Sequence, residues 1–279
     1  MKLLNCSAFA KSAHLLSCPV CAGMMFLEGA QLKCINNHNF DLAKKGYVNF
    51  LNKPGSDKYD KTLFDARKRI TQNGFFDPLI NGLVTQINLL FPFKKHLTIV
   101  DAGCGEGSLF SQVVQFLQFS GFVVTAIGLD IAKDGIALAA AANQEISWIV
   151  ADLANLPIAP GVADIVLNTL SPANYGQFKQ VLKKDGYLLK TVPGKTYLIE
   201  IRQNLNKGEF SNAQVIRLFE ANFRSIEKKR IVKTAVLTSN LISDLFIMTP
   251  LGWNRAEFGE SDFPATDISL DFMVMTGRR

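Results

Sequence analysis

Apolar residues in the middle of the chain gather into short runs that are separated by longer segments. Within the runs, apolar residues are nearly continuous, which is typical of strands buried on both faces. The segment 109–119 spaces its apolar residues as a helix does, and the Ala-rich segment 135–143 predicts a second helix. Strands that alternate with helices predict a parallel, doubly wound α/β sheet. The predicted strands are Leu97–Val100, Val123–Leu129, Ile146–Val150, Ala163–Asn168 and Tyr187–Val192.

The two ends of the chain follow other patterns. Residues 17–40 are polar and cysteine-bearing, and they are too few to enclose a core without further help. A helix is expected from about Thr62. Towards the C-terminus, the segments 231–237 and 268–275 predict two further strands, with a helix at 239–248 between them.

Composition and charge narrow the class of protein. With 279 residues, 48% hydrophobic and 19% charged, the chain is neither disordered nor collagen-like. Its apolar runs are shorter than the roughly 18 residues of a membrane span. Residues 1–75 contain eleven Lys and Arg against five Asp and Glu, whereas residues 76–279 contain nineteen of each, so the net charge of +6 lies in the first quarter. Such a basic segment favours binding of a polyanion at that end.

The cysteines indicate a metal site. Cys18 and Cys21 are followed, after twelve residues, by Cys34 and, after three more, by His38. This spacing is typical of zinc ribbons and fingers, in which four protein ligands surround the ion and leave no position open for catalysis. In the absence of a secretory pattern, the cysteines also indicate a reducing cytoplasm, where clustered thiols bind metal more often than they form disulfides. A structural zinc ion is therefore expected.

A Gly-rich turn follows the first central strand. In the stretch 101–107, Gly103, Gly105 and Gly107 occupy every second position, so the backbone can turn sharply and approach a ligand closely. The spacing differs from the dinucleotide fingerprint and from the P-loop. It resembles motif I of the class I S-adenosylmethionine-dependent methyltransferases, and this resemblance implies that S-adenosylmethionine is the cofactor.

Acidic residues at the ends of the next two strands agree with that resemblance. A carboxylate at Asp130 can accept hydrogen bonds from ribose hydroxyls, and Asp152 stands where these enzymes contact adenine. The carboxyl ends of parallel strands meet at one edge of the sheet, so one ligand can reach both residues. The expected cofactor-binding residues are Asp101, Gly103, Gly105, Glu106, Gly107, Asp130, Asp152 and Leu153.

The whole chain from about Cys18 resembles the RlmA-type 23S rRNA (guanine-N1) methyltransferases. The zinc cluster, the stretch Phe40–Asn49 and the Gly-rich turn together carry this resemblance. It implies a class I methyltransferase fold with a small N-terminal zinc-binding domain, a hairpin of 23S ribosomal RNA as substrate and a homodimer. We expect an extension and zinc-binding, RNA-recognition domain at 1–50, a basic linker and helix at 51–75, and a methyltransferase domain at 76–279.

The resemblance also implies that some residues bind RNA phosphates and that others form the acceptor side of the site, which faces the guanine that receives the methyl group. Because N1 of guanine bears a proton, methylation needs a base or a donor that stabilises the deprotonated ring. Tyr197 stands where the family usually has His, so the role of that His is open in this chain. The candidates for this chemistry are Asn168, Tyr175, Tyr197 and Glu200. The residues expected to bind RNA phosphates are Lys44, Lys45, Arg67, Lys68 and Arg69.

Two other functions remain open from the sequence. The catalytic domain alone would also suit a methyltransferase of small, quinone-like molecules, but such an enzyme needs neither a zinc ribbon nor a basic segment. A noncatalytic RNA-binding protein could keep the fold as a scaffold. The intact glycines together with Asp130 and Asp152 disfavour that alternative, because a scaffold does not need a complete cofactor site.

Overall fold

The computed structural model describes residues 6–51, 60–205, 211–249 and 266–279. The helices are α1 Ser7–Ser12, α2 Lys61–Gln72, α3 Asp77–Leu90, α4 Ser108–Phe119, α5 Lys133–Ala142, α6 Tyr175–Val181, α7 Ile199–Asn204, α8 Ala213–Asn222 and α9 Ser239–Met248. The strands are β1 Met25–Glu28, β2 Gln31–Cys34, β3 Asn39–Asp41, β4 Tyr47–Asn49, β5 His96–Ala102, β6 Val123–Asp130, β7 Ser147–Val150, β8 Ala163–Thr169, β9 Leu182–Pro193, β10 Arg224–Leu237 and β11 Thr266–Arg278. None of the helices in these ranges is long and apolar enough to cross a membrane.

The larger sheet has eight strands in the order β10-β11-β9-β8-β5-β6-β7-β4. Neighbouring strands from β4 to β9 are parallel, and β11 pairs in antiparallel fashion with both β9 and β10. The predicted α/β sheet is confirmed, and both C-terminal strands complete it as expected. Because β11 runs antiparallel to both of its neighbours, the sheet is mixed and not wholly parallel.

Helices and the N-terminal segment cover the two faces of this sheet. One apolar cluster contains buried residues of α2, α3, α4, α5, α7 and α9. The cluster on the other face contains residues of α1, the small sheet β1-β2-β3, α6 and α8. The zinc-bearing segment thus occupies a place that a helix layer holds elsewhere in the molecule, and its apolar side chains belong to the same core as the central strands.

The N-terminal segment is joined to the larger sheet by backbone pairing. Tyr47 and Val48 of β4 pair with Trp148 and Ile149 of β7, so the last residues of the expected zinc domain form an edge strand of the larger sheet. The expected extension is helical from Ser7 onward and is packed against that sheet, with Phe9 1% exposed. The N-terminal segment therefore packs as part of the same body as the larger sheet, and the division into domains at residue 50 stays a prediction.

A buried carboxylate fixes the loop that follows β9. Asp271 of β11 is fully buried and accepts hydrogen bonds from the backbone and the hydroxyl of Thr196, both at 2.9 Å. The guanidinium of Arg230 donates two further bonds, at 2.8 and 2.7 Å. Burial alone raises the pKa of a carboxyl, but these donors outweigh it and lower the pKa of Asp271. The loop carrying Tyr197 is thus tied to two strands of the sheet.

Candidate functional site

The four predicted metal ligands meet in the small N-terminal sheet. Cys18 and Cys21 lie before β1, Cys34 ends β2, and His38 precedes β3. Their ligand atoms all lie within 4.8 Å of one another. The Sγ atoms of Cys21 and Cys34 are 3.7 Å apart, close to the spacing of about 3.8 Å that two thiolates have around a tetrahedral zinc with Zn–S bonds of about 2.3 Å. The donor set and its spacing fit a structural zinc ion.

Amide groups near the cluster favour thiolates. The side-chain amide of Asn36 donates to Sγ of Cys21 at 3.3 Å, and its backbone N–H donates to Sγ of Cys34 at 3.4 Å. The first of these bonds is the main cause that lowers the pKa of Cys21 to about 6. Burial, by contrast, raises the pKa of Cys18. A bound cation favours the thiolate form, so zinc offsets this cost.

The Gly-rich turn lies where β5 ends and α4 begins. Gly103, Gly105 and Gly107 have φ values of 91, 59 and 75°, a region in which other residues are strained. The backbone N–H of Gly105 donates to one carboxylate oxygen of Asp130 at 2.8 Å, and the N–H of Ala132 donates to the other at 2.9 Å. Asp130 therefore braces the turn from the end of β6, the neighbouring strand.

Asp101 begins this turn with an unsatisfied acceptor. Its side chain is 3% exposed, and its Oδ1 atom has no hydrogen-bond partner among the described residues. Burial, with a smaller contribution from the charge of Asp130, raises the pKa of Asp101 to about 8. S-adenosylmethionine carries a sulfonium and an ammonium group, and such a ligand suits an acidic pocket. An orphaned acceptor beside a glycine cradle fits the cofactor that the sequence predicts.

The remaining predicted cofactor residues take different places around the turn. Glu106 is buried and accepts hydrogen bonds from the backbone and the hydroxyl of Ser108, the first residue of α4. Asp152 is exposed beyond the end of β7, where it accepts a bond from the N–H of Ala154 at 2.8 Å. Leu153 lies against the turn, with its Cδ1 atom 3.8 Å from the position of a Cβ on Gly103. Their contacts to a ligand stay predictions.

The four acceptor-side candidates do not form one group. Tyr175 packs at its ring against Phe178, Phe219 and Phe223, in the core of the other sheet face. Glu200 accepts bonds from the backbone and the hydroxyl of Ser269 and so ties α7 to β11. Both side chains thus have structural partners.

Tyr197 and Asn168 also differ from each other. The ring of Tyr197 packs on Phe272, with centroids 5.1 Å apart, and its hydroxyl forms no hydrogen bond within the described ranges. Burial raises the pKa of Tyr197, so the phenol stays protonated at neutral pH. Asn168 is fully buried, and its amide donates to the carbonyls of Ala102 at 2.6 Å and of Pro172 at 3.0 Å. Its oxygen is used as well, because it accepts from a buried lysine.

That lysine, Lys190 of β9, is a residue that sequence reasoning missed. It is 3% exposed, and its ammonium donates to Oδ1 of Asn168 at 2.6 Å and to the carbonyl of Ser171. Burial lowers the pKa of Lys190 to about 8. The sequence signal was a lysine inside the mostly apolar run Tyr187–Val192, and a strand tolerates such a residue without giving it a function. Lys190 holds the loop at 168–172 against the Gly-rich turn.

The five predicted RNA contacts lie on the turn between β3 and β4 and on α2, and their surroundings differ. Lys44 and Lys45 are exposed on the turn between β3 and β4. Arg69 pairs through one edge of its guanidinium, Nε and Nη2, with both carboxylate oxygens of Asp244 of α9, which gives it a structural role that the sequence did not indicate. This bidentate pair leaves the edge with Nη1 unused, so a contact of Arg69 with an RNA phosphate stays a prediction. Lys68 is half-buried, and Arg67 turns towards the Gly-rich turn.

Comparisons with known proteins agree with this architecture. Residues 16–58 match the family model of the RlmA N-terminal zinc ribbon, and residues 93–239 match that of a methyltransferase domain. The Bacillus subtilis protein YxjB, provisionally named as a 23S rRNA (guanine-N1)-methyltransferase, is 37% identical over 94% of this chain and 96% of its own length. The 23S rRNA (guanine(748)-N1)-methyltransferase of Streptomyces fradiae is 28% identical over 86% of each chain. A SAM-dependent methyltransferase structure from Aquifex aeolicus superposes with a TM-score of 0.47, at 15% identity over 62% of this chain and 93% of that one.

Fold and site together define a class I S-adenosylmethionine-dependent methyltransferase with a structural zinc ribbon. The RlmA zinc-ribbon model matches residues 16–58, and a relative that is 37% identical spans 94% of the chain. These two matches narrow the assignment from a class of enzyme to one family. The chain belongs to the RlmA-type family of 23S rRNA (guanine-N1)-methyltransferases.

Zinc content can be tested with single cysteine variants. Cys34→Ser removes a ligand from a core position, so the ribbon should lose its metal and the thermal midpoint should fall by about 10 °C. Zinc per chain and thermal unfolding would be measured on the same samples. Cys6→Ser is the matched control, because Cys6 lies outside the cluster, and it should change neither quantity. A full zinc complement in Cys34→Ser would contradict the assignment.

The burial of Lys190 predicts a pH dependence of stability. Since the pKa of about 8 in the fold lies below the ordinary value of 10.5, the unfolded chain holds this proton more tightly. The free energy of unfolding should therefore rise with pH through this window, and between pH 7 and 10 the wild type should gain about 2 kcal/mol relative to Lys190→Met. Urea unfolding measures the difference. Lys184→Met, in an exposed position of the same strand, should show no such trend.

Proposed function

We propose that this protein transfers the methyl group of S-adenosylmethionine to N1 of a guanine in a hairpin of 23S ribosomal RNA, in the cytoplasm. The observation that carries the proposal is the joining of a zinc ribbon to a methyltransferase sheet through the β4–β7 pairing. A small-molecule methyltransferase has no use for this addition. The names of the relatives in Bacillus subtilis and Streptomyces fradiae support the same substrate.

The cofactor is assigned to the carboxyl edge of β5, β6 and β7. Asp130 would hold the ribose, Asp152 and Leu153 the adenine, and Asp101 with the three turn glycines the amino-acid end. Glu106 would support the cofactor indirectly, through the start of α4. When bound, S-adenosylmethionine supplies an electrophilic methyl group, so the protein mainly has to align donor and acceptor and keep water away.

Tyr197 is the acceptor-side candidate that we favour. Asn168 and Glu200 are already hydrogen-bonded to the protein, whereas the Tyr197 hydroxyl has no such partner among the described residues. Because its pKa is raised, this phenol is a hydrogen-bond donor and not a base. It would stabilise negative charge on the guanine carbonyl oxygen as the N1 proton leaves to solvent.

The exposed lysines of the N-terminal segment are assigned to the RNA. Lys44 and Lys45 project from the β3–β4 turn, and Lys68 lies partly exposed on α2. Contacts of this kind bind phosphates without reading sequence, so the base must be selected at the pocket, after it has left its pair. The homodimer that the family resemblance implies would bring two such basic segments to one hairpin, and the molar mass in solution tests it.

The substrate is tested by single-turnover methylation of unmodified 23S ribosomal RNA with labelled S-adenosylmethionine, followed by nuclease digestion and mass spectrometry. We expect 1-methylguanosine as the product, and no product from Asp130→Ala. Joint replacement of Lys44 and Lys45 by Ala should weaken RNA binding and its salt dependence, whereas Lys184→Ala should leave both unchanged. Tight cofactor binding without label in any RNA would overturn the proposal in favour of a small-molecule acceptor.

The role of Tyr197 predicts a loss of rate without a loss of cofactor affinity. Tyr197→Phe keeps the ring packed on Phe272 and removes only the hydroxyl. The single-turnover rate at saturating RNA should fall by about 100-fold, the effect typical of removing one such donor, and the affinity for S-adenosylhomocysteine should stay within twofold. Tyr175→Phe is the control and should retain the wild-type rate. An unchanged rate in Tyr197→Phe would remove this residue from the reaction.

A further inference from the structure

Arg67 of α2 lies at the Gly-rich turn and not on the outer surface where an RNA contact was expected. A Cβ built on Gly105 would lie 2.9 Å from Nη1 of Arg67, so the guanidinium is almost in contact with the backbone of the turn. Its Cζ atom also lies 5.6 Å from the centre of the Phe64 ring, which faces the same glycine at 3.5 Å from that Cβ position. Phe64 thus holds the guanidinium against the turn.

The charge of Arg67 is uncompensated by any direct pair. Within the described ranges Arg67 forms no ion pair, although the carboxyls of Asp101, Glu106 and Asp130 surround the turn. Glu106 and Asp130 accept their hydrogen bonds from Ser108 and from backbone N–H groups. Burial raises the pKa of both carboxyls, and the charge of Arg67 acts against that rise, so the guanidinium is near them without bonding them.

Arg67 and Arg69 lie on different faces of α2 and have different surroundings. Residues two apart on a helix point about 200° away from each other. Arg69 is accordingly on the opposite side, where it pairs with Asp244 of α9. A guanidinium that forms no direct pair in a partly buried position is well suited to bind an anion, because such a pair offsets the cost of taking the charge out of water.

The cofactor contains one group of the required kind. Its adenosine is neutral, its sulfonium and ammonium are positive, and only the carboxylate of its amino-acid end is negative. An arginine can bind a carboxylate through two parallel hydrogen bonds. Asp101, with its unsatisfied Oδ1 atom at the start of the same turn, offers the complementary acceptor for the ammonium.

We propose that Arg67 binds the α-carboxylate of S-adenosylmethionine and that Asp101 binds the α-ammonium, so that the Gly-rich turn holds the amino-acid end between two opposite charges. This inference rests on the cofactor site of the proposed function and deepens it. It also removes Arg67 from the RNA-binding set.

The test compares two ligands that differ only in the carboxylate. S-adenosylhomocysteine has it, and S-adenosyl-3-thiopropylamine is the same molecule without it. By calorimetry, Arg67→Met should bind S-adenosylhomocysteine about 10- to 100-fold more weakly than wild type does, whereas the affinity for the decarboxylated ligand should change by less than about twofold. Arg67→Lys should lie between, since it keeps the charge and loses the fork.

Controls keep the outcome specific. Lys61→Met removes a positive charge from the exposed start of the same helix and should alter neither affinity, and thermal unfolding with zinc content verifies that each variant is folded. Equal weakening for both ligands, or none for S-adenosylhomocysteine, would overturn the inference. A loss of affinity for 23S ribosomal RNA without a loss for S-adenosylhomocysteine would return Arg67 to the RNA.

These binding measurements contain no RNA, so they are independent of the substrate assignment. If the wild type binds S-adenosylhomocysteine as expected but methylates no RNA, the proposed function fails and the role of Arg67 stands. If the wild type forms 1-methylguanosine and Arg67→Met binds both ligands normally, only the role of Arg67 fails.

Discussion

The backbone pairing of β4 with β7 is the constraint on which the arrangement of this protein depends. Through it, the segment that follows the zinc cluster becomes an edge strand of the sheet whose carboxyl edge bears the Gly-rich turn. Zinc in turn orders a segment that has too few apolar residues to fold by burial alone. The zinc site is not part of the cofactor site. By ordering the N-terminal segment, however, zinc fixes the position of the exposed Lys44 and Lys45 relative to the cofactor site.

Burial also determines the electrostatics of the Gly-rich turn. Three carboxyls are taken out of water around one short stretch of backbone, and each then has a raised pKa. The two positive groups of S-adenosylmethionine would suit these carboxyls. Its one carboxylate would need a positively charged side chain nearby. Arg67 lies beside the turn although it belongs to α2, so the residues of the turn alone do not describe its electrostatics.

The sequence predicted the central strands and the zinc ligands because their signals are local. A buried parallel strand is a continuous apolar run, and the four ligands stand at spacings that metal geometry requires. The edge strand β4 could not be predicted, since three residues carry almost no pattern and their partner Trp148 lies far along the chain. The directions of Arg67 and Arg69 were equally hidden, because composition gives a basic helix but only the packing of α2 on α9 decides which face each residue takes.

The acceptor side illustrates the same limit through the loop at 168–172. Leu170 has a φ of 51°, an uncommon conformation that costs about 1 kcal/mol or more and persists only where the surroundings enforce it. Lys190 and Asn168 hold this conformation. Lys190 donates to Asn168 and to the carbonyl of Ser171, and Asn168 donates to carbonyls of the loop and of the end of β5. Asn168 is therefore better understood as a support of the pocket wall than as a group that meets the base. A rigid wall of this kind suits methyl transfer, in which alignment of donor and acceptor contributes much of the rate.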